Sequence, residues 1–121
     1  MTDIRKTAEN YIALWNEADS EVRKKRLAAE WTGNAAYIDP MMKGEGHDGI
    51  AEMIEAARAN FPGLAFSLDT EPDGHGPFVR FSWALAPDNG AAVARGSDVV
   101  RLSPDGRIAE VIGFIDQAPA A

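Results

Sequence analysis

Gly96-Ser97-Asp98-Val99-Val100-Arg101-Leu102 is followed by Ser103-Pro104-Asp105-Gly106 and then by a second β-prone run from Arg107 to Asp116. A Pro-Asp-Gly turn between two runs rich in branched residues reads as a β-hairpin. The first of its strands reaches back to Ala92. Side chains alternate across a strand, so Gly96, Asp98, Val100 and Leu102 share one face, and Arg95, Ser97, Val99 and Arg101 share the other. Val100 and Leu102 mark the buried face, which carries Asp98 inward with them. Aspartate is a poor strand former, and a buried one must be paired or protonated. Asp98 is therefore the least expected residue in the chain.

Upstream, the strand signals continue. Phe78 to Ala86 is rich in aromatic and branched residues, and Pro87-Asp88-Asn89-Gly90 joins it to the strand starting at Ala92. Asp73-Gly74-His75-Gly76-Pro77 reads as a turn, and Ala65 to Thr70 as a loosely alternating strand. Before that the period changes. Ile50, Met53, Ile54, Ala57 and Phe61 recur at helical spacing from a start near His47 and Asp48, and Phe61-Pro62-Gly63 stops the helix. Met41 to Gly46 reads as a flexible loop, and Ala35 to Asp39 as a short strand stopped by Pro40. A first helix, capped by Thr2 or Asp3, places Ile4, Ala8, Tyr11, Ile12 and Trp15 on one face. A second, capped by Asp19 or Ser20, holds Val22, Leu27 and Trp31, with Arg23, Lys24, Lys25 and Arg26 read as its solvated side.

The order is helix, helix, strand, helix and then strands joined mostly by tight turns. This predicts an α+β fold in one domain spanning residues 1–121, with an ordered core over about 3–116. The sheet is expected to be antiparallel and cone-shaped, curled at Gly96 and Gly113 around three N-terminal helices. A curled sheet closed by helices encloses a pocket.

Composition narrows the partners. The chain of 121 residues carries 19 acidic against 12 basic side chains, a net charge of −7, and no cysteine. That balance argues against nucleic acid and anionic membrane surfaces, and no apolar run approaches a membrane span. Without cysteine there is no disulfide framework or thiolate nucleophile, and a cytoplasmic location is expected. His47 and His75 stand at a helix start and a turn without ligand spacing, so no metal site is expected. No glycine-rich phosphate loop or serine elbow occurs.

Tyr11-Ile12-Ala13-Leu14-Trp15 with Tyr37-Ile38-Asp39-Pro40, and Gly96 to Leu102 with Asp105-Gly106-Arg107-Ile108, resemble the SnoaL-like branch of the nuclear-transport-factor-2-like superfamily. The resemblance covers residues 3 to 116 and implies the cystatin-like α+β roll of that superfamily, whose members differ widely in activity. Three positions are similar to ketosteroid isomerase: Asp39 before Pro40 matches its base, and Tyr11 and Asp98 match its oxyanion donors. Trp31 and Ile54 stand where that enzyme has two supporting tyrosines. Limonene-epoxide hydrolases of the same fold place an activating arginine two residues before the matching aspartate, and here that residue is Gly96.

Moving a proton beside a carbonyl needs a base at the carbon and donors at the oxygen. The resemblance assigns Asp39 the first role and Tyr11 and Asp98 the second, with no cofactor. An apolar pocket would raise the titration of Asp98 by desolvating its charged form. The expected substrate-binding wall is Trp15, Met53 and Ile54 from helices, Phe66, Phe81, Trp83 and Phe114 from strands, Met41 at the mouth, and Asp116 as a further carboxylate. The expected partners are a small apolar ligand and a second copy of the chain, paired through the outer sheet face. Three readings stand: a cofactor-free isomerase, cyclase or dehydratase; a non-catalytic ligand-binding or accessory protein; and, less favoured, an epoxide-hydrolase-like enzyme.

Overall fold

The computed structural model describes residues 3–119. Thr2, one of the two expected helix caps, lies outside them. Asp3 fills the role, its side chain accepting from the Lys6 amide, and helix α1 runs Ile4–Asn16. Its buried residues are Ala8, Tyr11, Leu14 and Trp15, the stripe that helical spacing demands. Asp19 caps α2, Ser20–Glu30, with amide hydrogen bonds from Glu21 and Val22. The basic run is not a uniformly solvated face: Arg23 is 2% exposed. Its guanidinium donates to the Glu17 carbonyl at 2.6 Å and pairs with Glu55 of the third helix. Arginine can be buried this way because its donors find fixed acceptors while its stem packs.

Strand β1 covers Trp31–Ile38, beginning four residues earlier than the sequence reading placed it and taking Trp31 out of α2. The expected flexible loop contains a short strand, β2, Lys43–Glu45, paired with the end of β1. Helix α3 follows over Gly46–Asn60. Then come β3, Leu64–Leu68, and β4, Asp73–His75. The turn read at Asp73 to Pro77 is a small hairpin, with β4 folded back on β5, Phe78–Pro87. Strands β6, Ala94–Leu102, and β7, Ile108–Gln117, complete the sheet.

The sheet order is β2-β1-β7-β6-β5-β3, with β4 also on β5. Every pairing is antiparallel except β1 with β7, so the sheet is mixed. The parallel pair is possible because α3 and five strands separate β1 from β7 in sequence. Register shifts on β1, and at both ends of the β6–β7 pair, bend the sheet into a cup. The helices fill its concave side, and the core runs from Leu14 and Leu27 through Ile50 and Ile54 to Val79, Val100 and Val111. At one edge, the Asn16 side chain exchanges two 2.8 Å hydrogen bonds with the Phe66 backbone and fixes α1 against β3.

Candidate functional site

The cup keeps a cavity of about 60 Å³. Tyr11 and Trp15 of α1, Tyr37 of β1, Phe66 of β3, Trp83 of β5 and Asp98 of β6 form its wall, with Asp39 just beyond β1. Its rings interlock: Trp15 lies 5.7 Å from Tyr37 and 5.5 Å from Phe66, and Phe66 lies 5.2 Å from Trp83. Met41 is 59% exposed and frames the open side with Met42, Phe61 and Pro119. The wall holds two carboxylates and no lysine, arginine or histidine.

Asp39 is fixed by its turn. Residues 39–42 connect the paired ends of β1 and β2, where Ile38 faces Lys43. The Asp39 amide donates to the Met42 carbonyl at 3.0 Å, and its Oδ1 accepts from the amides of Met41 and Met42 at 2.7 and 2.9 Å. Aspartate ahead of proline suits this geometry because its short side chain caps the turn. Oδ2 accepts the Tyr37 hydroxyl at 2.6 Å. Each carboxylate oxygen offers two lone pairs, so Oδ1 is fully engaged and Oδ2 keeps one free. That free pair is where a proton can be taken.

Asp98 faces inward, as the parity of β6 requires, and is 2% exposed. Burial pushes its carboxyl up to about 6, helped by the charges of Asp39 and Asp116 and opposed by the donors of Tyr11 and Trp83. Its β7 partner is Gly113. A Cβ on that glycine would come within 2.7 Å of Asp98 Oδ1, 3.1 Å of Asp39 Cβ and 3.5 Å of the Tyr37 hydroxyl. The bare backbone of Gly113 is thus the surface on which the two acids and the phenol meet. Gly96 has a matching role for Trp83, whose ring lies across the place its Cβ would take.

Tyr11 is 2% exposed and set edge-on to Phe81 at 5.0 Å, with Trp31 stacked at 6.0 Å. Desolvation first, then the Asp98 charge, hold its phenol well above the usual range. Tyr37 is raised for the same reasons, burial and then Asp98. Both phenols therefore stay protonated and can donate.

The sequence reading brought Asp39, Asp98 and Tyr11 to one cavity, and the structure places all three in its wall together with Trp15, Met41, Phe66 and Trp83. It does not place the others there. Met53, Ile54 and Phe81 are core residues, 8%, 0% and 1% exposed, behind the wall. Phe114 and Asp116 are on the outer face: Phe114 is 56% exposed, and Asp116 accepts a 2.6 Å hydrogen bond from the outward Ser97 hydroxyl. The shift between Arg95 and Gly96 does not carry them inside. Tyr37 was not recognised as a site residue. Its spacing of two from Asp39 on a strand was the available signal, since residues i and i+2 share a face. Arg95 points outward and pairs with Asp69 at 2.8 Å, so the wall has no arginine for epoxide chemistry. Among the described residues no group of three His, Cys, Asp or Glu side chains is placed to hold a metal, and no helix is long and apolar enough to cross a membrane.

Residues 8–111 match the model of the SnoaL-like domain. A SnoaL-like family protein from Agrobacterium tumefaciens strain C58, itself only provisionally described as an isomerase, is similar at 52% identity. The alignment covers 92% of this chain and 95% of that one, with a TM-score of 0.89. A provisionally described SnoaL-like polyketide cyclase from Jannaschia sp. CCS1 shares the fold at 18% identity and a TM-score of 0.71, over 96% of this chain and 90% of that one. So does a protein of ketosteroid isomerase-like fold from Catenulispora acidiphila DSM 44928, in complex with trimethylamine, at 11% identity and a TM-score of 0.73, over 94% and 86%. No curated protein matches the chain in sequence.

Proposed function

This chain belongs to the SnoaL-like family of the nuclear-transport-factor-2-like fold, and from that premise we propose that it moves a proton on a small apolar carbonyl compound, with no cofactor. Asp39 is the base. Tyr11 and the protonated form of Asp98 hold the oxygen. Isomerisation, cyclisation and dehydration all begin with this step.

The observation that carries the reading is the meeting of two differently held carboxyls on Gly113, inside an aromatic wall without a cation. Asp39 has three donors and one free lone pair. Asp98 has none of that support from backbone amides and is pushed up by desolvation. Environments that separate two carboxyls in this way mark the base and the acid. For a β,γ-unsaturated ketone, Asp39 Oδ2 removes the proton from the carbon between the carbonyl and the alkene. The electron pair conjugates toward the oxygen, where Tyr11 and Asp98 stabilise the charge. Asp39 then returns the proton to the far alkene carbon, and the conjugated ketone leaves.

The test is conversion of cyclopent-3-enone to cyclopent-2-enone, read by the absorbance of the conjugated product. Wild type should exceed the buffer rate, and D39N should lose turnover while still binding cyclopent-2-enone. Binding without turnover in wild type would instead support a passive pocket, in which Asp39 serves only its hairpin.

The convex face suits self-association. Ile38 and Ile112 are register partners on β1 and β7 and, with Phe114, are 51%, 40% and 56% exposed. We propose a homodimer through this face. A dimeric mass by sedimentation that becomes monomeric in F114E supports it, and a monomeric wild type removes it.

A further inference from the structure

Two donors in the cavity wall complete no well-formed hydrogen bond, although Tyr11 lies beside both the Asp98 carboxyl and the Trp15 indole. The Tyr11 hydroxyl and the Trp15 indole N–H are both buried without a hydrogen-bond partner. Their residues are 2% and 5% exposed. They stand one turn apart on α1, with ring centroids 6.4 Å from each other. Among the described residues, the other buried side-chain atom without a partner, Arg26 Nε, belongs to α2 and is not in this wall. Buried polar groups are nearly always satisfied, so a pair left open side by side in one cavity asks for a ligand atom.

The chemistry of the pair limits that atom. An indole N–H only donates, and a phenol whose proton is retained donates as well. One oxygen with two lone pairs satisfies both. The Tyr37 hydroxyl is already committed to Asp39 and does not compete. An anion is disfavoured by Asp39 and Asp98 in the same wall. An ammonium ion could meet the carboxylates but has no lone pair to offer the Tyr11 and Trp15 donors. Size limits the rest of the molecule. The cavity is about 60 Å³ and opens beside Met41, a hollow that suits a small molecule better than an extended one.

We propose that Trp15 Nε1 and Tyr11 Oη together hold one carbonyl oxygen, and that the molecule carrying it is uncharged and compact, a short-chain or single-ring ketone rather than a polycyclic one. This rests on the carbonyl reading above and adds Trp15 as a donor that does not titrate. The Asp98 carboxyl, raised by burial to about 6, populates its ionised form near neutrality. The indole then leaves the oxygen two donors when Asp98 has lost its proton.

The experiment compares cyclopentanone with methylenecyclopentane, the same skeleton with CH₂ in place of oxygen. In wild type, the Trp15 indole N–H resonance should move downfield and saturate with cyclopentanone, and should show no such shift with methylenecyclopentane. W15F should weaken cyclopentanone binding by about 3- to 10-fold, the worth of one neutral hydrogen bond, and leave methylenecyclopentane unaffected. The resonance test holds even if W15F folds poorly. An unmoved Trp15 resonance, equal losses for both probes, or tighter binding of trimethylammonium than of cyclopentanone would overturn the proposal. Turnover of cyclopent-3-enone with an unmoved Trp15 resonance removes the indole and keeps the base. A shifted resonance without turnover keeps the indole and removes the reaction.

Discussion

Tyr37 donates a 2.6 Å hydrogen bond to Asp39 Oδ2 from two residues upstream, across the last pleat of β1. The phenol thereby holds the one oxygen that the turn amides leave free, and it sets the direction of the remaining lone pair. Y37F should lower kcat for cyclopent-3-enone by about 10- to 100-fold, with KM little changed, because a loosened base loses alignment before the pocket loses affinity. Stability should fall by about 1 kcal/mol for the lost hydrogen bond. Paired steady-state kinetics and urea unfolding separate the two effects. An unchanged kcat would remove Tyr37 from the site.

The unpartnered Tyr11 hydroxyl makes the opposite trade. Y11F removes a buried donor that lies beside the Asp98 carboxyl but completes no well-formed hydrogen bond, so its unfolding free energy should change by no more than about 1 kcal/mol. Its kcat should fall by roughly 100- to 1000-fold if the hydroxyl meets the developing oxyanion. A destabilised but fully active Y11F would mean the hydroxyl serves the fold.

Asp98 couples stability to pH. Its folded value is about 6 against an ordinary 3.8. Between those values the folded chain binds this proton more tightly than the unfolded one does. The stabilisation is fully present below pH 3.8, is lost as pH rises through about 6, and stays lost above. The loss is on the order of 3 kcal/mol. D98N has no such group, so the stability difference between D98N and wild type should grow in favour of D98N from pH 4 to 7. Turnover by wild type should fall through about pH 6 toward a plateau, while D98N shows no such step. Parallel pH profiles for the two proteins would contradict this.

Two glycines should fail in different ways. In G113A the new methyl meets the free end of the Asp98 side chain at 2.7 Å, and that carboxyl can swing aside. Activity should therefore drop far more than stability. In G96A the methyl runs into the Trp83 ring and comes within 2.7 Å of the Phe114 carbonyl oxygen, and neither yields easily. Overpacking of this kind costs roughly 1–3 kcal/mol. Thermal unfolding alongside turnover distinguishes the two, and equal stability losses would sink the argument.

The inward position of Asp98 was legible because Val100 and Leu102 share its parity and only one face of β6 is apolar. The same logic gave no answer on β7. Val111-Ile112-Gly113-Phe114-Ile115 is apolar on both faces, so alternation could not say that Phe114 and Asp116 point outward. On α3, helical spacing identified Met53 and Ile54 as buried without telling core from cavity wall. Arg23 was hidden in a run of four basic residues, since nothing local announces a partner 32 residues away in Glu55. The role of Gly113 depends on a cross-strand pairing that no single segment encodes.

Scarcity of water around Asp98 lifts its titration toward neutrality, and this can be read directly. The carboxyl carbon of Asp98, assigned by comparison with D98N, should titrate with a midpoint of about 6 and move higher when cyclopentanone fills the cavity. A midpoint in the ordinary aspartate range, unmoved by the ketone, would contradict it.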